Sequence, residues 1–227
     1  MAQNRKPEGG TAMFGENVVG RLSLYRRLLR VLEHRGIENV FSHELAAQAR
    51  VTAAQVRRDV MQLGFSGSPA RGYAVEGLIQ CIARALDDPQ GESVALVGIG
   101  NLGRAIMAYF AGRRPSLSIV AAFDRDEAKV NRVVHGVRCY PVEELTEVVR
   151  SQGIRVGIIT VPAPAAQEMA DMLVSAGVRG LLNLAPRPLH IRPGVYVESV
   201  DVTTALEKVA YFARQGVAEK KGKENRE

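Results

Sequence analysis

The chain is poor in the residues that build metal and disulfide scaffolds, with two cysteines and four histidines among 227 residues. Cys81 and Cys139 are too few for a disulfide framework and form no C-x-x-C pair, so their spacing supports neither a redox dithiol nor a zinc site. Both read as small apolar residues of a core. No stretch reaches the ~18 consecutive apolar residues of a membrane-spanning helix. The opening MAQNRKPEGGTAMFGEN has no apolar core of the kind a secretory leader needs. The expectation is a cytoplasmic protein with no metal and no membrane partner. Catalytic groups are scarce as well. His135 and His190 are the only histidines of the C-terminal part, and neither falls at an expected strand end, which argues against an enzyme. There is no internal repeat.

What is present is an uneven charge. The formal net charge is +6, yet residues 1–75 hold 11 Lys+Arg against 6 Asp+Glu, while residues 76–214 hold 15 of each. A basic third on a neutral body suits a DNA-binding module joined to something else. Residues 1–17, with Arg5 and Lys6, read as a flexible arm, and residues 218–227 as a disordered tail.

Residues 18–88 carry helical periodicity three times over. Val18, Leu22, Tyr25, Leu29 and Leu32 fall on one face of a helix that Gly36 stops. Ser42 suits the N-cap of a short helix to Ala49. Thr52 and Gln55 have the spacing of a capping box opening a helix to about Leu63, with Val56 and Val60 on its buried side. A glycine-punctuated loop then leads to a short strand at Tyr73–Val75 and a helix over Glu76–Leu86. This is the layout of a winged helix-turn-helix, with Thr52–Leu63 as the helix that enters a major groove. Gln55, Arg57 and Arg58 lie on or near its outer face, where Arg pairs with guanine and Gln with adenine. Arg21 on the first helix, Thr52, and Arg71 in the wing are further candidates for DNA contact.

Asp87–Glu92 has turn composition and marks the boundary. Beyond it, over residues 92–200, apolar strands expected at Ser93–Val97, Leu117–Phe123, Val156–Val161, Gly180–Leu184 and Val195–Val200 alternate with helical segments. The fold class is therefore α/β, a winged helix-turn-helix followed by a Rossmann-type doubly wound parallel sheet. The most specific motif is Gly98-Ile99-Gly100-Asn101-Leu102-Gly103, a G-x-G-x-x-G directly after a strand and opening a helix. Such a turn brings backbone N–H groups and a helix start to a pyrophosphate. Asp124 ends the second strand 21 residues past Gly103, placed to bind an adenosine ribose and to repel a 2′-phosphate. NADH or NAD+ is thus expected over NADPH, although Arg125 beside it works against that preference. Thr160-Val161-Pro162 and Asn183-Leu184-Ala185-Pro186 end two later strands, where ligands of open α/β sheets sit.

Five segments occur in one order: Arg21-Leu22-Ser23-Leu24-Tyr25, TAAQVRRD from Thr52, VGIGNLGRA, Thr160-Val161-Pro162 and Asn183-Leu184-Ala185-Pro186. Together they resemble the Rex family of bacterial redox-sensing transcriptional repressors, over about Val18 to Gln215. The resemblance implies a homodimer on double-stranded, palindromic operator DNA that senses the NADH/NAD+ ratio, with NADH releasing the operator. It also implies that residues 201–217 form a dimerisation helix exchanged between subunits, with Val202, Leu206, Val209 and Phe212 as its inner stripe. By the same resemblance, Tyr109 and Asp201 lie near the nicotinamide and the dimer interface. The chain departs from the family pattern at Ser23, at Gln62-Leu63 before Gly64, and in the position of the basic residue of Ser68–Tyr73. The competing reading is a small NAD-dependent oxidoreductase or a CoA-binding-type enzyme subunit.

Overall fold

A computed structural model describes residues 14–112 and 116–214. Most of the N-terminal arm, Arg5 and Lys6 included, and the tail from Gln215 lie outside the described residues. The chain forms two compact units that meet in sequence at Pro89/Gln90.

Among the described residues, the first unit holds four helices and a two-stranded ribbon. Helix α1 (Glu16–His34) buries Leu22, Tyr25, Leu29 and Leu32, the three- and four-residue spacing of one helical face. Helices α2 (Ser42–Ala49) and α3 (Ala53–Gln62) follow, and α4 (Val75–Leu86) adds Leu78, Ile79 and Ile82 to the same core. Strand β1 (Asn39–Val40), too short to show a period in the sequence, pairs antiparallel with β2 (Tyr73–Ala74). The loop before β2 is pinched by a bridge between Ser68 and Gly72.

Two capping expectations need correction. Ser42 is the first helical residue rather than the cap. Phe41 holds the cap position, its N–H donated to the Glu44 carboxylate at 2.7 Å, while Ser42 Oγ accepts from Arg57 Nη1 at 3.1 Å. At α3, Thr52 Oγ1 does accept from the Gln55 N–H at 3.1 Å. The reciprocal half of the box is missing, because the Gln55 side chain turns forward to Asp59.

In the second unit, strands β3 (Glu92–Val97), β4 (Leu117–Asp124), β5 (Arg132–Val134), β6 (Val137–Pro141), β7 (Val156–Ile159), β8 (Gly180–Asn183) and β9 (Tyr196–Ser199) form one sheet. Its order is β5-β6-β4-β3-β7-β8-β9, with every neighbour parallel except the β5–β6 hairpin. Helices α5 (Asn101–Phe110), α6 (Leu145–Ser151), α7 (Ala163–Ala176) and α8 (Val202–Arg214) complete it. Both faces of β3 are buried. Ala95 and Val97 pack with α6 and α7, and Val94 and Leu96 pack with Met107 of α5. That is why the strand reads as a continuous apolar run. Since β3 has β4 on one side and β7 on the other, the chain reverses direction across the sheet there. A crevice opens at the carboxyl ends of these strands.

Candidate functional site

The glycine turn lines one wall of that crevice. Gly98, at φ +102°, adopts a conformation that side chains disfavour, and a β-carbon on it would lie 2.8 Å from the Thr160 backbone. A β-carbon on Gly103 would collide with the Gly98 carbonyl, so the third glycine lets α5 press against the turn. Gly100 differs, since a β-carbon there would meet nothing of the protein within 4 Å. The first and third glycines serve packing, whereas the second keeps open space. The first N–H groups of α5 have no helical carbonyl to bond, and its N-cap, Gly100, offers no side-chain acceptor.

Side chains fix the turn from both flanks. Thr160 Oγ1 lies 2.8 Å from the Gly98 carbonyl and 3.0 Å from that of Val97, and its N–H donates to Val97. Asp124 Oδ2 accepts from the Ile99 N–H at 2.7 Å and from Lys129 Nζ at 3.3 Å, while Oδ1 accepts from the Asp126 N–H. Lys129 also meets Asp126 at 3.3 Å. Partial burial works against the Lys129 charge, but Asp124 and Asp126 outweigh it and raise its pKa. Across the crevice, Arg125 pairs with Glu168 of α7 at 2.5 Å.

The result is a cleft of about 470 Å³. Gly98, Gly100, Asn101 and Leu102 line one wall, Asp124 and Arg125 a second, and Thr160, Val161 and Pro162 a third. Two residues of the motif stay behind these walls. Ile99 is fully buried, and Gly103 acts through packing. Four lining residues went unread in the sequence. Lys129, five positions past Asp124, was legible as a cation near a ribose site, whereas Val142, Ala165 and Met169 carry no local motif.

Other expected residues do not line the cleft. Asn183 is buried and organises the end of β8, donating to the Arg187 carbonyl at 2.8 Å and accepting from the Ala185 N–H at 3.1 Å. Ala185 is likewise buried. Tyr109 is 60% exposed on α5, edge-on to Phe110. Asp201 accepts from the N–H groups of Thr203 and Thr204 and from the Thr204 hydroxyl, bonds that lower its pKa and start α8. No residue of α8 is buried, and Val202, Leu206, Val209 and Phe212 stand 62–66% exposed. Among the described residues no His/Cys/Asp/Glu group could hold a metal, and no helix is long and apolar enough to cross a membrane.

In the first unit, α2, a short turn and α3 form a helix-turn-helix. Gln55 is half-buried, and Thr52, Arg57, Arg58 and Arg71 are exposed. Arg21 of α1 is partly buried, its guanidinium fork bound to Asp59 of α3 at 2.7 and 2.8 Å. Asp59 is fully buried and also accepts from Tyr25 Oη at 3.0 Å and Gln55 Nε2 at 2.8 Å. Burial pushes the Asp59 pKa up, but the donors from Arg21, Gln55 and Tyr25 prevail and hold it below the usual carboxylate value.

Comparison with known proteins matches each unit to a family model. Residues 15–60 match a putative DNA-binding protein N-terminus, and residues 90–187 match a CoA binding domain. The chain is 40% identical over 200 residues to the redox-sensing transcriptional repressor Rex of Roseiflexus sp., covering 88% of this chain and 91% of that one. It is 40% identical over 192 residues to redox-sensing transcriptional repressor Rex 1 of Enterococcus faecalis, covering 85% and 89%. Among solved structures it resembles RSP in complex with β-NAD+ and operator DNA, at a TM-score of 0.82 and 28% identity over 90% of this chain and 94% of that one. The complex of RSP with β-NADH matches at 0.78, again with 28% identity, over 90% and 96%.

Proposed function

The chain belongs to the Rex family of redox-sensing transcriptional repressors, and from that premise we propose that it binds operator DNA and releases it when NADH occupies the glycine-turn cleft. The observation that carries this reading is the open space over Gly100, at the start of α5 and opposite Asp124, in a chain whose other unit is a helix-turn-helix. The pyrophosphate lies on the α5 start, where unbonded N–H groups and the helix dipole favour an anion. Asp124, already fixed by Ile99 and Lys129, takes the adenosine ribose. Thr160–Pro162 shape the wall toward the rest of the dinucleotide.

Rex-family proteins are transcriptional regulators, and we read this chain as a regulator without catalytic chemistry of its own. Its first unit acts as a winged helix, with the Ser68–Gly72 loop as the wing. Gln55, Arg57 and Arg58 meet the major groove, and Thr52 and Arg71 the backbone. Arg21 serves the module through Asp59. The exposed apolar stripe of α8 supports a homodimer in which this helix docks on the partner subunit and carries Asp201 with it.

A ligand shifts a two-state protein only through its difference in affinity for the two states. The test is therefore a titration of operator binding with NADH at fixed NAD+. Release of operator as the NADH fraction rises is expected, and undiminished binding across a wide ratio range would falsify the proposal.

A further inference from the structure

The Asp59 carboxylate is saturated. Arg21 Nη2 and Gln55 Nε2 reach Oδ1, each at 2.8 Å, and Arg21 Nε and Tyr25 Oη reach Oδ2 at 2.7 and 3.0 Å. An ionised carboxylate offers about four acceptor sites and no donor, so these four contacts use all of them. Three of the donors tie α1 to α3. The fourth, Gln55, stands one turn earlier on α3, in the half that a helix-turn-helix directs at bases.

This fixes the Gln55 amide as well as its position. A glutamine amide can present either its oxygen or its nitrogen after a half-turn of the terminal torsion. Against an acceptor-only partner one orientation survives, because the flipped amide would set Oε1 against a carboxylate. With one Nε2 hydrogen committed to Asp59, the amide retains one N–H and Oε1. One donor beside one acceptor matches adenine, which shows N7 as acceptor and N6–H as donor in the major groove. Guanine shows two acceptors there, O6 and N7, and would need both hydrogens of the amide.

We propose that Asp59 is a positioning residue for sequence readout, holding the Gln55 amide in the single orientation that accepts adenine and rejects guanine. The inference rests on α3 being the groove-facing helix. Asp59→Asn should release this constraint. The two donors of Arg21 compete for the one remaining oxygen, the new amide nitrogen turns toward Gln55, and Gln55 flips to present both hydrogens outward.

The experiment is selection from a pool of randomised duplexes by the full-length chain, compared for wild type, Asp59→Asn, Gln55→Ala and Tyr25→Phe. Wild type should prefer adenine over guanine at one position per half-site by about 5- to 150-fold, the range of a good bidentate contact. Gln55→Ala should flatten that position alone, and Asp59→Asn should move it toward guanine. Tyr25→Phe removes a bond to Asp59 without freeing Gln55, so it should lower the melting temperature and keep the preference. A uniform loss of affinity in Asp59→Asn, with the base profile intact, would make Asp59 purely structural and overturn the inference. An unchanged profile in Gln55→Ala overturns it too, while leaving DNA binding in place. Failure of wild type to enrich any duplex would instead remove the DNA-binding reading on which it rests. Should Asp59→Asn not fold, NMR on the wild type still decides. A held Gln55 side-chain amide should approach the order parameter of rigid backbone, ~0.85, and a value below ~0.6 contradicts the anchoring.

Discussion

Gly100 and Gly103 stand three residues apart in one motif, and alanine should separate what they do. At Gly100 the backbone is extended, with φ −83° and ψ −167°, and a methyl group meets nothing within 4 Å. Alanine fits that geometry, so the lower entropy of the unfolded chain adds ~0.4–1 kcal/mol, offset by about 0.5–1 kcal/mol lost at an N-cap, where glycine is preferred to alanine. The unliganded melt of Gly100→Ala should therefore stay within about 0.5 kcal/mol of wild type. The cost falls on the ligand, because the methyl group occupies the path by which the backbone approaches a pyrophosphate. NADH at 100 times its Kd stabilises the folded state by ~2.7 kcal/mol. At about 2–4 °C per kcal/mol, the wild-type melt rises by roughly 5–11 °C. A 100-fold loss of affinity leaves ~0.4 kcal/mol, or about 1 °C. Gly103→Ala behaves oppositely. Its methyl group meets the Gly98 carbonyl and lies 3.0 Å from Thr160 Oγ1, so the unliganded protein loses ~1–3 kcal/mol. Differential scanning fluorimetry of both variants, with and without NADH, measures all four quantities. A full NADH shift in Gly100→Ala would refute the assignment of its open space to the pyrophosphate.

Three further outcomes follow from the same geometry. Asp124→Ala removes the acceptor for Ile99 N–H and the ribose partner, so calorimetry should show NADH weakened by ~1.5–3 kcal/mol and a narrower gap to NADPH; equal NADH affinity would unseat Asp124. Leu206→Asp places a charge in the exposed stripe of α8, where each buried leucine contributes ~1.5–3 kcal/mol to association, and sedimentation should show monomers where wild type gives dimers. The pKa of Asp59 is lowered by folding, so its contribution is complete above the unfolded value of ~3.9 and is lost as pH falls through the folded value. Wild type should thus lose stability on acidification below about pH 4 more steeply than Asp59→Asn, and parallel pH profiles would contradict that sign.

Much of this architecture is legible because period and punctuation coincide. Residues 94–97 alternate between two cores, so the strand shows as an apolar run, and the glycines after it have no other reason to be so spaced. The β5–β6 hairpin escapes because its turn is His135-Gly136, with φ of +50° and +82°, where Asn-Gly would have announced it. β1 escapes because two residues carry no period. In the site, the turn and the strand ends could be read, while Met169 and Ala165 reach the cleft from α7 only because tertiary packing brings them there. Asp59 is the instructive omission. In sequence it is one more charge beside two arginines. Nothing local indicates that α1 will lay Arg21 and Tyr25 against it, 38 and 34 residues away.

The parts of the cleft that determine affinity differ from the parts that can determine redox response. NADH and NAD+ share their adenosine and pyrophosphate, which are the groups the glycine turn and Asp124 are placed to hold. Contacts to shared groups stabilise both forms alike, and equal affinity for two states shifts nothing. Discrimination must therefore come from the walls that meet the nicotinamide, where the forms differ by one positive charge. Gly100→Ala tests this division directly. It should raise the Kd for NADH and NAD+ by one common factor and leave their ratio unchanged. The NADH concentration for half-release of operator, measured without competing NAD+, should rise by that factor, while release at saturation stays complete. A changed Kd ratio, or incomplete release at saturation, would place redox sensing in the turn itself and defeat the argument.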